Sequence, residues 1–427
     1  MTRPAFLIAF FTTIVRYYDY ALFGLSAAVL SKNFLPLGSN DRQILLFFAI
    51  FSIAVIARPI GSIIFGFISD KYGRVVSVKI SVFLATISTI LIGLTPNFDK
   101  IGMYATIILI FCRMTFLMSL AGEGDAIKIY VVEKVGSRHK NYTYGIVSFC
   151  TQVGALLAAA IYHFSTKFEQ MSHLWRANFI IGGIFGLFII SLRHYFRESE
   201  EFLKSKKDHK SIDYNFFDLG KIIKNSFGRF IIAILISGCI GGIYHFLIIF
   251  WGVFAAKSAL LMNSNQAQII NIVLITIYAI MSVFSGFLSD RIYPKKQIIT
   301  SLSLSLLVII IVQFLLYKEI FVIYFPIILI ALAPFYVVPL QVIVQSLFIT
   351  NIRARMCSLS HSLGGMIVSS TTPFFCMLLW QYFNSIFLVL GFFLLLLLIL
   401  FSTVIYLYST NVITNYQTEG ENFAKKT

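Results

Sequence analysis

The sequence predicts an all-α membrane protein with twelve transmembrane helices in two pseudo-symmetric six-helix bundles. Its 427 residues are 58% hydrophobic and only 12% charged, whereas soluble domains carry about 25% charged residues. That leaves too little polar surface to solvate the globular domains this length would otherwise build. Apolar runs long enough to cross a bilayer, about 20 residues each, occur twelve times. A short motif from the first half of the chain also returns 220 residues later in the second.

In chain order the apolar runs cover residues 5–31, 44–68, 76–95, 102–124, 143–163, 177–195, 230–254, 267–289, 297–316, 321–349, 357–379 and 384–408. The first begins like a signal peptide, with Thr2-Arg3 before an apolar stretch. It continues past Arg16 and Asp19 without a small-residue cleavage site, so it is assigned as a helix. The long polar stretch between the sixth and seventh runs mixes basic and acidic residues and reads as a linker. The organisation is therefore an N-terminal bundle at 1–196, a cytoplasmic linker at 197–229, a C-terminal bundle at 230–408 and a cytoplasmic tail at 409–427.

Basic residues set the orientation. With the amino terminus in the cytoplasm, 23 Lys and Arg fall on that side and only seven, Lys32, Arg42, Lys100, Lys167, Arg176, Lys257 and Lys318, on the other. This asymmetry puts both termini inside. The formal net charge of +16 is thus spread over short loops, without the basic face or stacking platform that nucleic acid requires. Cys112, Cys150, Cys239, Cys357 and Cys376 lie in or beside apolar runs and lack metal-ligand spacing. They read as small core residues, and neither a cofactor nor a metal is expected.

The repeated motif is Gly66-Phe67-Ile68-Ser69-Asp70-Lys71 after the second run and Gly286-Phe287-Leu288-Ser289-Asp290-Arg291 after the eighth, the pattern of two halves related by duplication. Gly73-Arg74 completes the first copy, and Arg58-Pro59-Ile60-Gly61 precedes it. Tyr17-Tyr18-Asp19-Tyr20 and Gly24 lie in the first run. Arg113, Gly122-Glu123 and Glu133 mark the fourth, Trp175-Arg176 precedes the sixth, Arg193, Glu198 and Phe202 follow it, and Thr372-Pro373 lies in the eleventh. In this order the residues resemble the major facilitator superfamily, and within it the metabolite:proton symporters that include proline/betaine, oxoglutarate, citrate and shikimate carriers. The resemblance covers nearly the whole chain. It implies the major facilitator fold and secondary transport of a small metabolite.

The loop motif has the chemistry of a latch. Gly66 and Gly73 permit close approach and a tight turn, while Asp70 offers a carboxylate to Lys71, Arg74 or the amino terminus of a facing helix. The resemblance implies that this contact holds the two halves together on the cytoplasmic side; bracing of a single loop fits the same residues. The second copy, Asp290-Arg291, continues into Tyr293-Pro294 instead of Gly-Arg, and a weaker latch is expected there.

Ionisable residues inside the spans carry the functional argument, because each costs about 2.5–3.5 kcal/mol at the bilayer centre. Arg16 and Asp19 fall roughly 16–21 Å along the first helix at 1.5 Å per residue, and Arg113 lies at a similar depth in the fourth. They are expected to face each other, water or a ligand. Arg16 and Asp19 are three residues apart on one face, which fits mutual neutralisation as well as a coupling role. In that role Asp19 takes and releases a proton, while Arg113 grips a substrate carboxylate through two bonds or alternates as the partner of Asp19. Glu123 is a candidate second proton site, or a brace for Arg58 or Arg74, and Lys128 is expected to snorkel.

The chain departs from the family pattern at Arg16, where the symporters carry Glu, at Phe116-Leu117 in place of Gln-Gly, and at Asn178 in place of Pro. No single relative's substrate can therefore be copied onto it. In the nearly uncharged C-terminal half, Tyr244, Gln341 and Gln345 are candidate substrate contacts alongside Tyr18 in the first. Pro334 and Pro339 are expected to kink the tenth helix and free carbonyls that protein or water must satisfy. His245 and His361 read as hydrogen-bonded core residues.

The sequence therefore reads as a secondary active transporter that moves a carboxylate or zwitterion, such as proline/betaine or a dicarboxylate, with protons and by alternating access. Its partners are the small-molecule substrate, protons and the lipid bilayer, and it is expected to be a monomer in the cytoplasmic membrane of a bacterium. A transporter-like sensor or uncoupled facilitator is the alternative. An enzyme is not expected, because the seven His form no HExxH or other ligand-spaced cluster.

Overall fold

The computed structural model describes residues 3–35, 54–135, 139–166, 174–192, 219–255, 261–318, 320 and 324–410. Among them every regular element is helical. Twelve long helices follow in order: α1 (Arg3–Leu25), α2 (Ala57–Tyr72), α3 (Arg74–Leu94), α4 (Met103–Val135), α5 (Lys140–Thr166), α6 (Leu174–Leu192), α7 (Phe227–Tyr244), α8 (Ser264–Ser289), α9 (Pro294–Tyr317), α10 (Phe325–Ser346), α11 (Thr350–Gly364) and α12 (Ile386–Ser409). The helix of α7 runs on through a π-helical His245–Phe250, and that of α11 through a π-helical Gly365–Ser369 before continuing as Thr372–Phe383.

Ten of these, α3 to α12 with their continuations, are long and apolar enough to span a membrane. The 23 residues of α1 reach about 35 Å, and the apolar part of α2, Ala57–Ser69, is shorter. Residues 44–53 of the second predicted run lie outside the described residues. Elsewhere the run boundaries shift. The first run breaks at Ser26, from which the short helix Ala27–Phe34 begins, while α4 continues to Val135 because its charged end is still a good helix former. Between α2 and α3, Gly73 adopts φ 110, the left-handed region that glycine enters without the Cβ penalty of other residues.

The chain divides into two compact units, Met1–Lys134 with Cys150–Ser211, and Val135–Phe149 with Ile212–Thr427. The first turns of α5 thus belong to the second unit. Glycines account for this: a Cβ on Gly145 would collide with the Ser282 carbonyl of α8, and one on Gly286 with the Asn141 carbonyl of α5. Backbone meets backbone there, and the Ser148 hydroxyl adds a bond to the Ser282 hydroxyl at 3.2 Å.

The core of the first unit joins α1, the short helix Ala27–Phe34, α3, α4, α5 and α6 through Leu22, Phe23, Phe34, Ile92, Leu109, Ala158, Trp175 and Phe179. In the second unit, α10 carries Pro334 and Pro339 inside its helix. Pro339 has no N–H to offer the carbonyl of Phe335, and Gln297 Nε2 of α9 supplies a donor at 3.1 Å. The Ser285 hydroxyl of α8 donates to the Pro334 carbonyl at 2.7 Å. Protein side chains therefore satisfy the carbonyls around these prolines. All five cysteines are buried and free.

Candidate functional site

Helical phase carries the charged residues inward. On α4, Phe111 is 67% exposed, as a lipid-facing ring would be, whereas Arg113 two residues on is 1% exposed. On α1, Arg16 and Asp19 are three residues apart and both buried, together with Tyr18, Leu22 and Phe23. The core described above thus includes the immediate neighbours of Asp19, and Cys112 beside Arg113.

Aromatic rings line the arginines. The Arg113 guanidinium lies 4.0 Å from the centroid of Phe23, 5.3 Å from Phe116 and 5.4 Å from Tyr20. Arg16 reaches the same Phe116 ring at 5.6 Å. Both distances fall within cation–π range, in which the negative ring face attracts a cation. Phe116 is therefore shared by two buried cations, and its π faces moderate a like-charge approach. Electrostatically, Arg113 feels Tyr20, Arg58 and Asp19, while Asp19 feels Arg16 and Arg113.

The Asp19 carboxylate is held from another direction. Its Oδ2 lies 3.4 Å from Thr89 Oγ1 of α3, and Oδ1 packs over Gly182 of α6, where a Cβ would collide with it. Next to it, the Tyr18 hydroxyl donates to the Asn178 carbonyl at 3.1 Å, which ties α1 to α6. The arrangement brings an acid and two guanidiniums together at mid-span of one unit. It has the parts to hold a proton and to attract a carboxylate.

The remaining candidates fall in several places. Tyr244 and Gln341 are half-buried and Gln345 is buried, all in the second unit, and the Tyr244 ring meets Tyr278 edge-on at 5.5 Å. In the loop motif, Gly66 is buried and Lys71 reaches back over Phe67 at 5.3 Å. The side chains of Asp70, Arg74 and Glu123 lie outside the described residues. Asp290 differs from the expectation of a weaker contact. Its carboxylate accepts the backbone N–H groups of Asn141 and Tyr142 at 3.1 and 2.9 Å and the Asn141 side-chain amide at 3.0 Å, which caps the start of α5. Arg291 turns onto Phe287 at 3.9 Å instead. The basic end that the second copy lost is not part of this contact.

Several neighbours had no place in the sequence reading. Tyr20 and Phe23 follow Asp19 by one and four residues, and that spacing on a helix was a usable signal. Thr89 and Gly182 meet Asp19 only through the packing of α3 and α6 on α1. Arg176 donates to the Gly93 and Thr95 carbonyls and the Asn97 side chain, so it caps the end of α3. Among the described residues no group of His, Cys, Asp and Glu could hold a metal ion.

Comparisons with known proteins agree with this architecture. The Major Facilitator Superfamily profile matches residues 6–348. A putative proline/betaine transporter of Staphylococcus aureus (strain COL) is 26% identical over 370 residues, covering 84% of this chain and 78% of that protein. The proline/betaine transporter of Escherichia coli (strain K12) is 31% identical over 204 residues, 47% of this chain and 41% of that protein. The fold matches the proton:xylose symporter XylE with a TM-score of 0.76 at 17% identity, covering 95% of each chain. It also matches the transporter FucP in its outward conformation with a TM-score of 0.73 at 13% identity, covering 95% of this chain and 98% of that one. The chain belongs to the Major Facilitator Superfamily and is a multi-pass membrane protein, a secondary transporter of small metabolites.

Proposed function

We propose that this transporter couples uptake of a small zwitterion or carboxylate, with proline and betaine as the first candidates, to protons by alternating access. The observation that carries the reading is the burial of Asp19 with Arg16 and Arg113 at mid-span of one unit. Charges at that depth are expensive unless they pair or bind a ligand. Arg113 holds the substrate carboxylate, because a planar guanidinium grips a carboxylate through two parallel bonds, and Phe23 and Phe116 keep it oriented. Asp19 takes the proton. The relatives' names, proline/betaine transporters and a proton:xylose symporter, support both parts of the reading.

In the same reading the chain acts without covalent chemistry, as a monomer in the lipid bilayer of the bacterial cytoplasmic membrane, with both termini inside as the Lys/Arg asymmetry favours. Tyr18, Tyr244, Gln341 and Gln345 contribute polar contacts to the substrate, and Glu123 is a second proton site. Gly66, Asp70, Lys71, Gly73 and Arg74 form the conformational latch, with Asp290 and Arg291 as its second copy.

The test is uptake of labelled proline by purified protein in liposomes under an imposed pH gradient. Asp19→Asn is expected to lose gradient-driven accumulation at least tenfold while exchange of labelled for unlabelled proline falls less. Accumulation equal to the native level would remove Asp19 as the proton site. Native protein that exchanges without accumulating would mark an uncoupled facilitator.

A further inference from the structure

We propose that Thr89 and Gly182 form a seat on α3 and α6 that receives the Asp19 side chain as the neutral acid, which makes them positioning residues for the proton-carrying step. This inference rests on the reading of Asp19 as the proton site and deepens it.

The first argument comes from the hydroxyl of Thr89. It lies 3.0 Å from the Ala85 carbonyl of its own helix and 3.4 Å from Asp19 Oδ2. A hydroxyl has one proton to give and lone pairs to offer, and a carbonyl only accepts. The shorter distance places the proton on Ala85, so a lone pair of Thr89 faces Asp19. That lone pair suits a carboxylic acid O–H. A hydroxyl serving a carboxylate would approach to about 2.5–2.7 Å, much closer than is seen.

The second argument comes from the other oxygen. Asp19 Oδ1 is buried and accepts no hydrogen bond among the described residues, and it packs over the bare Cα of Gly182. An ionised oxygen left without a donor in a buried site costs far more than the carbonyl oxygen of a neutral acid. Both oxygens therefore sit where a protonated carboxyl belongs.

The charged groups facing Asp19 are Arg16 on its own helix and Arg113 on α4, with the Tyr18 phenol beside it. α3 and α6 present Thr89 and Gly182, which carry no charge. The step forms one bond, Oδ2–H, with a proton taken from water on one side of the membrane. It breaks the same bond when the proton leaves to the other side. In the ionised state the arginines attract the carboxylate, and in the neutral state the seat receives it.

The experiment measures the pH dependence of gradient-driven labelled-proline uptake in liposomes for the native chain, Thr89→Val, Thr89→Ser and Gly182→Ala, with Asp19→Asn alongside. Thr89→Val keeps the shape but not the oxygen, and its half-maximal pH is expected to move lower by about one unit, a tenfold loss of proton affinity. Thr89→Ser restores the native profile. Gly182→Ala, whose methyl group occupies the seat, loses more accumulation than exchange. An unmoved profile in Thr89→Val, or one displaced to higher pH, overturns the seat even where Asp19→Asn behaves as proposed. Full accumulation in Asp19→Asn overturns the proton-site reading, and the seat falls with it. The two Thr89 variants decide the matter if Gly182→Ala does not fold.

Discussion

The interiors of the two units are built from similar helices and filled with different chemistry. In the first, Arg16, Asp19 and Arg113 are buried at mid-span among aromatic rings. In the second, the buried polar groups are neutral: Tyr278, Tyr336, Ser282, Ser285 and Gln297. These engage backbone carbonyls, as Ser285 and Gln297 do along α10. Duplication thus left a shared scaffold on which one copy keeps ionised groups at an expense only function explains, while the other uses its polar groups to repair proline-broken helices.

If this contrast is real, substitutions in the two units should separate transport from stability. The largest effect is expected for Arg113→Ala, which removes the guanidinium from the proposed carboxylate site. The apparent constant for labelled proline should rise roughly tenfold to a hundredfold, because a hydrogen bond to a charged group contributes about 1.5–3 kcal/mol. Arg113→Lys should recover little of it, since a point charge does not reproduce the planar fork. An unaltered constant in Arg113→Ala would break the comparison from the side of the first unit.

In the second unit the effects should appear as stability. Gly286→Ala places a methyl group against the Asn141 carbonyl, and overpacking of this kind costs about 1–3 kcal/mol; the purified protein should unfold at a lower temperature in detergent. Asp290→Ala removes the cap on the first turn of α5 and should cost about 1–2 kcal/mol, read from the same melt. The smallest effect is expected for Gln297→Leu, which leaves the Phe335 carbonyl without its donor at about 1 kcal/mol. Its constant for labelled proline should match the native protein. A Gln297→Leu variant that melts normally but transports poorly would show that the polar groups of the second unit act on substrate.

Hydropathy made the spans legible because a bilayer demands an unbroken apolar length, and the ends of most helices fall within a few residues of the runs. It could not show the break at Ser26, where the apolar run continues from α1 into a second helix without a polar interruption. Arg16, Asp19 and Arg113 were legible for the same physical reason, since charge inside an apolar run stands out. Their surroundings were not. Thr89 and Gly182 are ordinary residues of apolar helices and acquire meaning only from what faces them in three dimensions. Asp290 was read through its lost basic neighbours, whereas its bonds run to the N–H groups that every helix start leaves open. Phe116 stood out as a departure from the family pattern, and the structure gives it company: the same ring meets Arg16, the other departure on that face.

The π-helical turns of α7 and α11 have a consequence for comparing this chain with others. A backbone bonded at i→i+5 accommodates an extra residue in its turn, so residues after Phe250 and Ser369 are rotated relative to an uninterrupted α-helix. Alignments to relatives that lack either turn should open a single-position gap there. A deletion of one residue in His245–Phe250 would swing Trp251 and everything beyond it onto a new face.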